Sequence, residues 1–236
     1  MKQITEQNRK FIDMVDLKVY HSIYPVIFSP GNSDWGCIIR FDDKIILPGK
    51  RDIQNFSGSS LLIVRMLING SAVYHDATGY RKVLKENDVL VVAYGEEGIQ
   101  STYFNFNETD ENEFLEIWFK AEASGKRRHF YPANASEKVI DILDIPAHMD
   151  YTIDLAKDSW LWRGTIAKNT DHVITQTSTD DSIVLFVLSG SMTVNHVDLN
   201  YRDAIILSLT DVINIHFERE TDLLIIQMRR NKEEVK

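Results

Sequence analysis

The feature that most constrains the fold is an internal repeat, in which one strand-turn-strand pattern occurs twice along the chain. The first copy is the apolar run 61–68, which ends at the turn pair Asn69-Gly70 and continues into a second short run. The second copy is 182–194, and its Gly190 lies 120 positions after Gly70. Two copies of one hairpin unit predict two similar domains, because each copy must bury its own apolar face.

The segments after each hairpin extend the repeat. In both copies a turn that contains an aspartate, Asp88 or Asp203, precedes another β-branched run, and the later strand 114–119 has its counterpart at 223–228. Runs rich in Val, Ile, Phe and Trp at this spacing are typical of strands. Many short strands without long helical periodicity predict an all-β protein made of sandwiches or barrels.

The stretch between the two copies is the predicted connector. Residues 122–149 contain two prolines, a basic cluster at 126–128 and a predicted short helix at 136–143, for which a serine is the N-cap. We therefore assign an N-terminal domain to 1–121 and a C-terminal domain to 150–236.

Composition excludes several classes of function. The 236-residue chain has a formal net charge of -9, which argues against nucleic-acid binding. Its single cysteine, Cys37, cannot form an intramolecular disulfide, which fits a reducing compartment. We interpret Cys37 as a small buried side chain. The N-terminus has no signal-peptide pattern, and no stretch is long and apolar enough to span a bilayer. We expect a cytoplasmic protein without membrane association.

The order of these elements resembles that of the pirin family, whose members are bicupins. The likeness rests on three groups of residues: Asp34-Trp35-Gly36 with Arg40-Phe41-Asp42-Asp43, Leu67-Ile68-Asn69-Gly70 with His75-Asp76 and Gly79, and Gly98-Ile99 with Asn105 and Glu116-Ile117-Trp118. It covers nearly the whole chain and is weaker beyond about residue 121. The resemblance implies two tandem cupin domains, each a jelly-roll-like β-barrel, with a few short helices.

The resemblance also implies where a metal site would lie. Family members hold iron or another divalent transition metal with three histidines and one glutamate, in a His-x-His pair and a later His-x-Glu pair. The corresponding positions in this chain are Phe56 and Gly58, then Ser101 and Tyr103. Phe56 and Gly58 offer no lone pair, and neutral hydroxyls bind such metals weakly. We therefore predict a degenerate site with no metal, no cofactor and no catalytic residue.

The remaining histidines are interpreted as structural. His75, at a hairpin end, is typical of a surface turn residue, and no other histidine lies between His21 and His129. In the second domain His172, His196 and His216 lack a His-x-His or His-x-Glu spacing. No metal site is predicted there.

Two further groups of residues fit structural roles better than functional ones. Glu96 and Glu97 lie on the loop of the former site, just before Gly98, and are interpreted as solvated, because they could serve as bases only if they pointed inward and were buried. Trp160 and Trp162 alternate along a strand, so that both lie on one face. We expect them to take part in core packing or in a domain interface.

Three functions remain open from the sequence. Our prediction is a non-catalytic, regulatory pirin-like protein that binds a protein partner or a small apolar ligand, since only this role survives without a metal. The alternative is a quercetin 2,3-dioxygenase-like oxygenase, which the resemblance implies and which normally needs a metal. The further alternative is a small-molecule sensor that uses the N-terminal barrel as a pocket. The barrel itself is expected to be either plugged or a small apolar pocket with hydroxyls from Ser101 and Tyr103. The partner, the ligand and the oligomeric state are not indicated.

Overall fold

The computed structural model describes residues 2–23, 38–57, 60–95, 99–120, 127–131, 148–156, 159–174, 181–208 and 212–229. Apart from one turn of 3-10 helix at Glu6–Asn8, every regular element in these ranges is a β-strand, which confirms the predicted all-β class. The predicted helix at 136–143 and Cys37 lie outside the described residues. Within the described ranges no helix is long and apolar enough to cross a membrane.

In the part of the chain that the structure describes, eleven strands form one of two compact units, which we call the N-terminal barrel. They are β2 (Lys10–Asp13), β3 (Leu17–Ile23), β4 (Ile38–Ile46), β5 (Arg51–Phe56), β6 (Leu61–Asn69), β7 (Ser71–Asp76), β8 (Arg81–Lys85), β9 (Val89–Tyr94), β10 (Ile99–Phe104), β11 (Asn112–Lys120) and β12 (Arg127–Tyr131). The larger sheet has the order β12-β9-β6-β11-β4-β3-β2, and the smaller sheet has the order β5-β10-β7-β8. All neighbouring strands are antiparallel.

The other compact unit, the C-terminal barrel, repeats this plan with ten strands in its described residues, against eleven in those of the N-terminal barrel. Its strands are β1 (Lys2–Ile4), β13 (His148–Ala156), β14 (Ser159–Ile166), β15 (Thr170–Ile174), β16 (Asp181–Ser189), β17 (Met192–Val194), β18 (Val197–Leu199), β19 (Ala204–Ser208), β20 (Ile213–Phe217) and β21 (Thr221–Arg229). The sheet orders are β1-β19-β16-β21-β14-β13 and β15-β20-β17-β18.

The internal repeat corresponds to two matching hairpins. Strands β6 and β7 are joined at Gly70 and strands β16 and β17 at Gly190, and both glycines have positive φ angles, +95° and +88°. After each hairpin, the carboxylate of Asp88 or Asp203 accepts a hydrogen bond from the backbone N–H three residues earlier, at 2.8 and 2.9 Å. The same side chain therefore closes the same turn in both barrels.

Two strands lie differently from the domain boundaries that the sequence indicates. Strand β1, which falls in the range assigned to the N-terminal domain, pairs with β19 of the C-terminal barrel. Strand β12, which falls in the range assigned to the connector, pairs with β9 of the N-terminal barrel. Both are edge strands whose backbone donors and acceptors need partners, and such long-range pairing has no local signal in the sequence.

Each barrel has its own core, formed by inward-facing side chains at every second position of its strands. On β6 the side chains of Leu61, Ile63 and Leu67 lie in the N-terminal core cluster. At the matching positions of β16 are Ile183 and Val187, which lie in the C-terminal core cluster. The alternation fixes which residues of each strand point into its barrel.

Candidate functional site

Three of the four positions that the family resemblance assigns to metal ligands lie on neighbouring strands and point into the N-terminal barrel. Phe56 ends β5, and Ser101 and Tyr103 lie two residues apart on β10. The exposed fractions of Phe56, Ser101 and Tyr103 are 6%, 1% and 2%. Residues two apart on a strand share a face, so Ser101 points the same way as Tyr103. Gly58 lies outside the described residues.

Phe56 is packed among aromatic rings. Its ring stacks on Tyr94 with centroids 4.6 Å apart and forms an edge-to-face contact with Trp118 at a centroid distance of 5.0 Å. The guanidinium of Arg40 lies 4.7 Å from the centroid of the Trp118 ring. Aromatic pairs in such arrangements contribute about 0.5–1.5 kcal/mol beyond their buried area. The side chain at the first implied ligand position therefore has a packing role.

Ser101 ends a chain of hydroxyl groups. Its Oγ accepts a hydrogen bond from the Tyr94 hydroxyl at 3.4 Å, and the Tyr94 and Tyr74 hydroxyl oxygens are 3.4 Å apart. The Tyr74 hydroxyl donates to Asp76 Oδ2 at 3.1 Å. Burial, together with the neighbouring tyrosines, raises the pKa of Tyr74 above its ordinary value. Its hydroxyl therefore stays protonated and acts as a donor.

Tyr103 lies between a cation and two rings. The guanidinium carbon of Arg65 is 3.6 Å from the centroid of the Tyr103 ring, and the rings of Tyr74 and Phe114 lie 4.8 and 5.7 Å away. Burial raises the pKa of Tyr103 well above its ordinary value, although Arg65 acts in the opposite direction. The phenol is therefore neutral at physiological pH.

A network of buried charges lies next to Tyr103. Arg65 forms an ion pair with Glu116 and lies 3.7 Å from Asp52. Lys44 Nζ lies 2.6 Å from Glu116 and 3.1 Å from Asp52. The amide of Gln54 donates to both carboxylates, at 3.0 Å to Glu116 and 2.8 Å to Asp52. Two cations therefore balance two carboxylates without a bound ion.

The network keeps Glu116 ionised. Burial by itself would raise the pKa of Glu116, but the attraction of Arg65 and then of Lys44 holds it well below its usual range. Burial would likewise lower the pKa of Arg65, but Glu116, followed by Tyr103, raises it above its ordinary value. A carboxylate held by two cations is a poor proton acceptor near neutral pH, so Glu116 does not suit the role of a general base.

The C-terminal barrel has aliphatic side chains at the positions of Arg65, Glu116, Tyr103 and Ser101. Arg65 and Glu116 are cross-strand neighbours on β6 and β11, and their counterparts on β16 and β21 are Leu185 and Ile225. Two further pairs follow from the registers of the smaller sheets: Tyr103 corresponds to Ile215, and Ser101 to Ile213. All four counterparts lie in the C-terminal core cluster. The fold therefore does not itself require the Arg65–Glu116 pair.

A buried histidine contact could not be found from the sequence. His21 Nδ1 lies 2.5 Å from Asp42 Oδ1, and Asp42 also pairs with Arg40. His21 is 5% exposed and Asp42 is fully buried. The contact depends on the register of β3 with β4, which no local motif indicates. It continues the row of cross-strand neighbours that leads through Asp42 to Glu116 and Arg65.

The histidines singled out in the sequence do not converge on one place. His75 is exposed on β7, and His196 is exposed in the turn between β17 and β18. His216 is on β20 and pairs with Asp171 at 2.7 Å, whereas His172 is half-buried on β15. Among the residues that the structure describes, no group of three or more His, Cys, Asp or Glu is arranged to hold a metal ion.

The remaining candidates from the sequence are the two tryptophans, which pack in the core, and the two glutamates, which the structure does not describe. The rings of Trp160 and Trp162 stack at 6.2 Å, and Trp162 lies in the C-terminal core cluster with Trp160 packed against it. This agrees with the expected packing role. Glu96 and Glu97 lie outside the described residues.

The side chains at the described ligand positions do not fit a divalent transition metal. Phe56 has no donor atom, and the Ser101 hydroxyl already accepts a hydrogen bond from Tyr94. The neutral phenol of Tyr103 is covered by Arg65, and a buried cation repels a second positive charge. We therefore derive no chemical step through a metal at these positions.

Comparisons with known proteins support the same architecture. Residues 146–228 match the family model described as the quercetinase C-terminal cupin domain. The bacterial pirin YhhW from Escherichia coli in complex with nickel(II) has a TM-score of 0.81 at 16% identity, covering 98% of this chain and 99% of that chain. The chain has a pirin-like bicupin fold. This confirms the predicted pair of cupin domains.

Two other solved structures share the bicupin fold. Quercetin 2,3-dioxygenase from Acinetobacter baumannii has a TM-score of 0.74 at 15% identity, covering 97% of this chain and 86% of that chain. GK1651 from Geobacillus kaustophilus has a TM-score of 0.72 at 13% identity, with coverage of 95% and 94%. At these identities the likeness shows the fold alone. A comparison with curated proteins finds no match.

Proposed function

We propose that this pirin-like bicupin is a non-catalytic, regulatory protein, which acts by binding a protein partner or a small ligand rather than through a redox metal. The observation that supports this most is the contact of Arg65 with Tyr103, at 3.6 Å from guanidinium carbon to ring centroid. A fixed positive charge beside an implied ligand position opposes the entry of a metal cation, because like charges repel strongly in a buried site.

The ionic network gives a second support. A metal-binding interior usually has carboxylates or imidazoles whose charge and lone pairs the ion satisfies. In this barrel the carboxylates of Glu116 and Asp52 are already satisfied by Lys44, Arg65 and Gln54. Binding an ion there would require at least one of these buried pairs to break, which is costly.

Metal loading tests the proposal directly. The purified chain and the pirin YhhW are incubated with nickel(II) or iron(II) without oxygen, desalted and subjected to elemental analysis. We expect YhhW to retain nickel, as its crystal structure with nickel(II) indicates, and this chain to retain far less than one ion per molecule. One ion per chain, retained by the wild type but lost in Ser101→Ala or Tyr103→Phe, would contradict the proposal.

A quercetin 2,3-dioxygenase-like oxygenase is the second candidate. It is favoured by the match of residues 146–228 to the quercetinase C-terminal cupin model. Dioxygen chemistry of this kind needs a metal or a base that makes the substrate an electron-rich anion. Oxygen uptake with quercetin, with and without added divalent metals, is the test. We expect no uptake above controls without protein, whereas metal-dependent uptake that is lost in Ser101→Ala would establish the oxygenase.

A small-molecule sensor is the third candidate, favoured by the hydroxyls of Ser101, Tyr94 and Tyr74 within an aromatic interior. Thermal-shift measurements with flavonols and other apolar aromatics test it, because a ligand of the native state raises apparent stability. The matched variant is Tyr94→Phe, which removes a hydroxyl but keeps the ring stacked on Phe56. A thermal shift in the wild type that disappears in this variant would support binding inside the barrel.

A further inference from the structure

A second region of interest is the outer face of the sheet β5-β10-β7-β8, opposite the barrel interior. The side chains on this face alternate along each strand with the inward ones. They are Arg51, Ile53, Asn55, Ser71, Val73, His75, Arg81, Val83, Lys85, Gln100, Thr102 and Phe104. None of these twelve described residues is acidic, although the whole chain has a formal net charge of -9. The face is therefore locally basic on an acidic protein.

A pocket of about 280 Å³ opens on this outer face. It is lined by Arg51, Val73, His75, Arg81, Thr102 and Phe104. Pockets for drug-sized ligands measure about 300–1,000 Å³, so this pocket lies just below that range and suits a smaller ligand. Its lining combines two guanidinium groups and an imidazole with an aromatic ring, an aliphatic side chain and a hydroxyl. This composition favours a ligand that has both a negative charge and an apolar part.

The strand registers order these groups across the sheet. Arg81, His75 and Thr102 are successive cross-strand neighbours on β8, β7 and β10. In the adjacent row, Val73 is paired with Phe104, and Phe104 with Arg51. One row therefore offers hydrogen-bond donors and positive charge, and the other offers an apolar surface that ends in a second guanidinium.

The two arginines are available to a ligand. The guanidinium carbon of Arg51 lies 5.6 Å from the centroid of the Phe104 ring, within the range of a cation–π contact. Arg51 and Arg81 are both exposed, and within the described part of the chain neither forms an ion pair. A guanidinium group without a carboxylate partner can bind a ligand carboxylate through two parallel hydrogen bonds.

The charge of this face is not a requirement of the fold. In the C-terminal barrel the row that corresponds to Arg51, Phe104, Val73 and Val83 consists of Asp171, His216, Thr193 and Asp198. Its two ends are acidic, and Asp171 pairs with His216 at 2.7 Å. Equivalent backbone positions therefore accept either sign of charge, so the basic and aromatic set around the pocket is particular to the N-terminal barrel.

We propose that this pocket binds a planar aromatic carboxylate. The carboxylate is held by Arg81 and His75, with the Thr102 hydroxyl as a further donor. The aromatic ring of the ligand lies against Val73 and Phe104, and the guanidinium of Arg51 covers this ligand ring. This site lies on the opposite face of the sheet from Ser101 and Tyr103, so it is independent of the barrel interior and of any metal.

Benzoate is the probe that tests the proposal, and two analogues separate its parts. Benzamide keeps the ring but lacks the charge, and cyclohexanecarboxylate keeps the charge but lacks the flat ring. Binding is followed by amide chemical shifts of the isotope-labelled full chain, which also report where a ligand binds. We expect saturable shifts at Val73, His75 and Thr102 with benzoate, and an affinity roughly in the millimolar range, as suits so small a ligand. Both analogues should bind more weakly.

Two single variants assign the roles of lining residues, and a third serves as the control. Arg81→Gln should weaken benzoate binding by about tenfold, because it removes a charged hydrogen-bond donor. Phe104→Leu should remove the preference for benzoate over cyclohexanecarboxylate. The matched control is Lys85→Gln, which makes the same charge change on the same face outside the pocket lining, and it should leave the affinity within about twofold.

Each alternative outcome overturns the proposal. Equal binding of benzoate and benzamide would show that the pocket does not recognise charge. Equal losses in Arg81→Gln and Lys85→Gln would show only a general attraction between an anion and a basic surface. Shifts confined to residues around Ser101 would place the ligand inside the barrel, and a lack of saturable shifts with benzoate would remove the site altogether.

Discussion

The guanidinium carbon of Arg65 lies 3.6 Å from the centroid of the Tyr103 ring, so a buried cation covers one face of a buried phenol. Arg65 is on β6 of the larger sheet and Tyr103 is on β10 of the smaller sheet, so the contact crosses the interior of the N-terminal barrel. Arg65 also pairs with Glu116, its cross-strand neighbour. Arg65 and Tyr103 therefore join the two sheets by a polar contact, whereas their counterparts in the C-terminal barrel, Leu185 and Ile215, are aliphatic.

The first prediction concerns the stability of the buried network. Glu116→Gln should lower the free energy of unfolding by about 3–5 kcal/mol, because it leaves Arg65 and Lys44 without their shared carboxylate. The double variant Arg65→Leu with Glu116→Ile copies the C-terminal pair Leu185 and Ile225 and should recover most of this loss. Urea denaturation of the three proteins measures the differences.

This double variant is informative because Lys44 keeps its contact with Asp52 at 3.1 Å. Replacing a buried ion pair by apolar residues of similar volume is often neutral or stabilising, whereas removing one partner is not. Equal destabilisation of Glu116→Gln and of the double variant would show that Arg65 and Glu116 do not act as a unit. The stability of the barrel would then depend on each charge separately.

The second prediction concerns pH. The pKa of Glu116 is lower in the folded chain than in the unfolded chain, where it is about 4.3. The unfolded state therefore takes up a proton first as the pH falls. The stability that Glu116 contributes is fully present above its unfolded pKa and is lost as the pH falls toward its folded pKa.

The double variant is the control for this pH dependence. Wild-type protein should lose stability more steeply than Arg65→Leu with Glu116→Ile as the pH is lowered from about 5 to about 3. Denaturant unfolding at several pH values makes the comparison, since the other titrating groups are common to both proteins. Parallel profiles would show that Glu116 is not held by its two cations.

Much of the fold follows from local patterns in the sequence. The hairpin turn at Gly70 was predictable because Asn-Gly separates two apolar runs. The same strand-turn-strand pattern around Gly190 indicated the second barrel. Strand β6 (Leu61–Asn69) matches the predicted run 61–68 almost residue for residue. These features depend on neighbouring residues alone, so they need no knowledge of register between distant strands.

The charged interior was not predictable in the same way. Lys44, Asp52, Arg65 and Glu116 lie on four different strands, and each looks like a solvated charge when its strand is considered alone. Only the pairing registers bring them to one place, and register is a property of the whole sheet. The same reason hides the contact of His21 with Asp42.

The third prediction separates packing from chemistry at Tyr103. Tyr103→Phe keeps the ring beside Arg65, Tyr74 and Phe114, so it should change the free energy of unfolding by less than about 1 kcal/mol. Tyr103→Ala removes the buried ring and should cost about 3–5 kcal/mol. Thermal and urea unfolding compare the two variants. A large effect of Tyr103→Phe on any ligand-binding or oxygen-uptake assay, without a loss of stability, would instead assign the phenol a chemical role.

The fourth prediction uses three glycines that all have positive φ but differ in their surroundings. A Cβ atom on Gly190 would lie 2.2 Å from the backbone oxygen of Glu220, whereas nothing lies within 4 Å of one on Gly79. Gly79→Ala therefore measures the conformational strain alone, about 1–2 kcal/mol. Gly190→Ala adds a clash with backbone that cannot rotate away, so it should cost more than about 4 kcal/mol.

Gly70→Ala should lie between these two variants. Its Cβ would lie 2.1 Å from the side-chain oxygen of Asn112, which can move, but only by losing the hydrogen bonds that Asn112 forms with the backbone of Ser71 at 3.2 and 2.6 Å. Calorimetric unfolding should therefore give the order Gly190→Ala, Gly70→Ala, Gly79→Ala from most to least destabilised. A Gly190→Ala protein as stable as Gly79→Ala would mean that the two hairpins of the repeat are not built around close backbone approach.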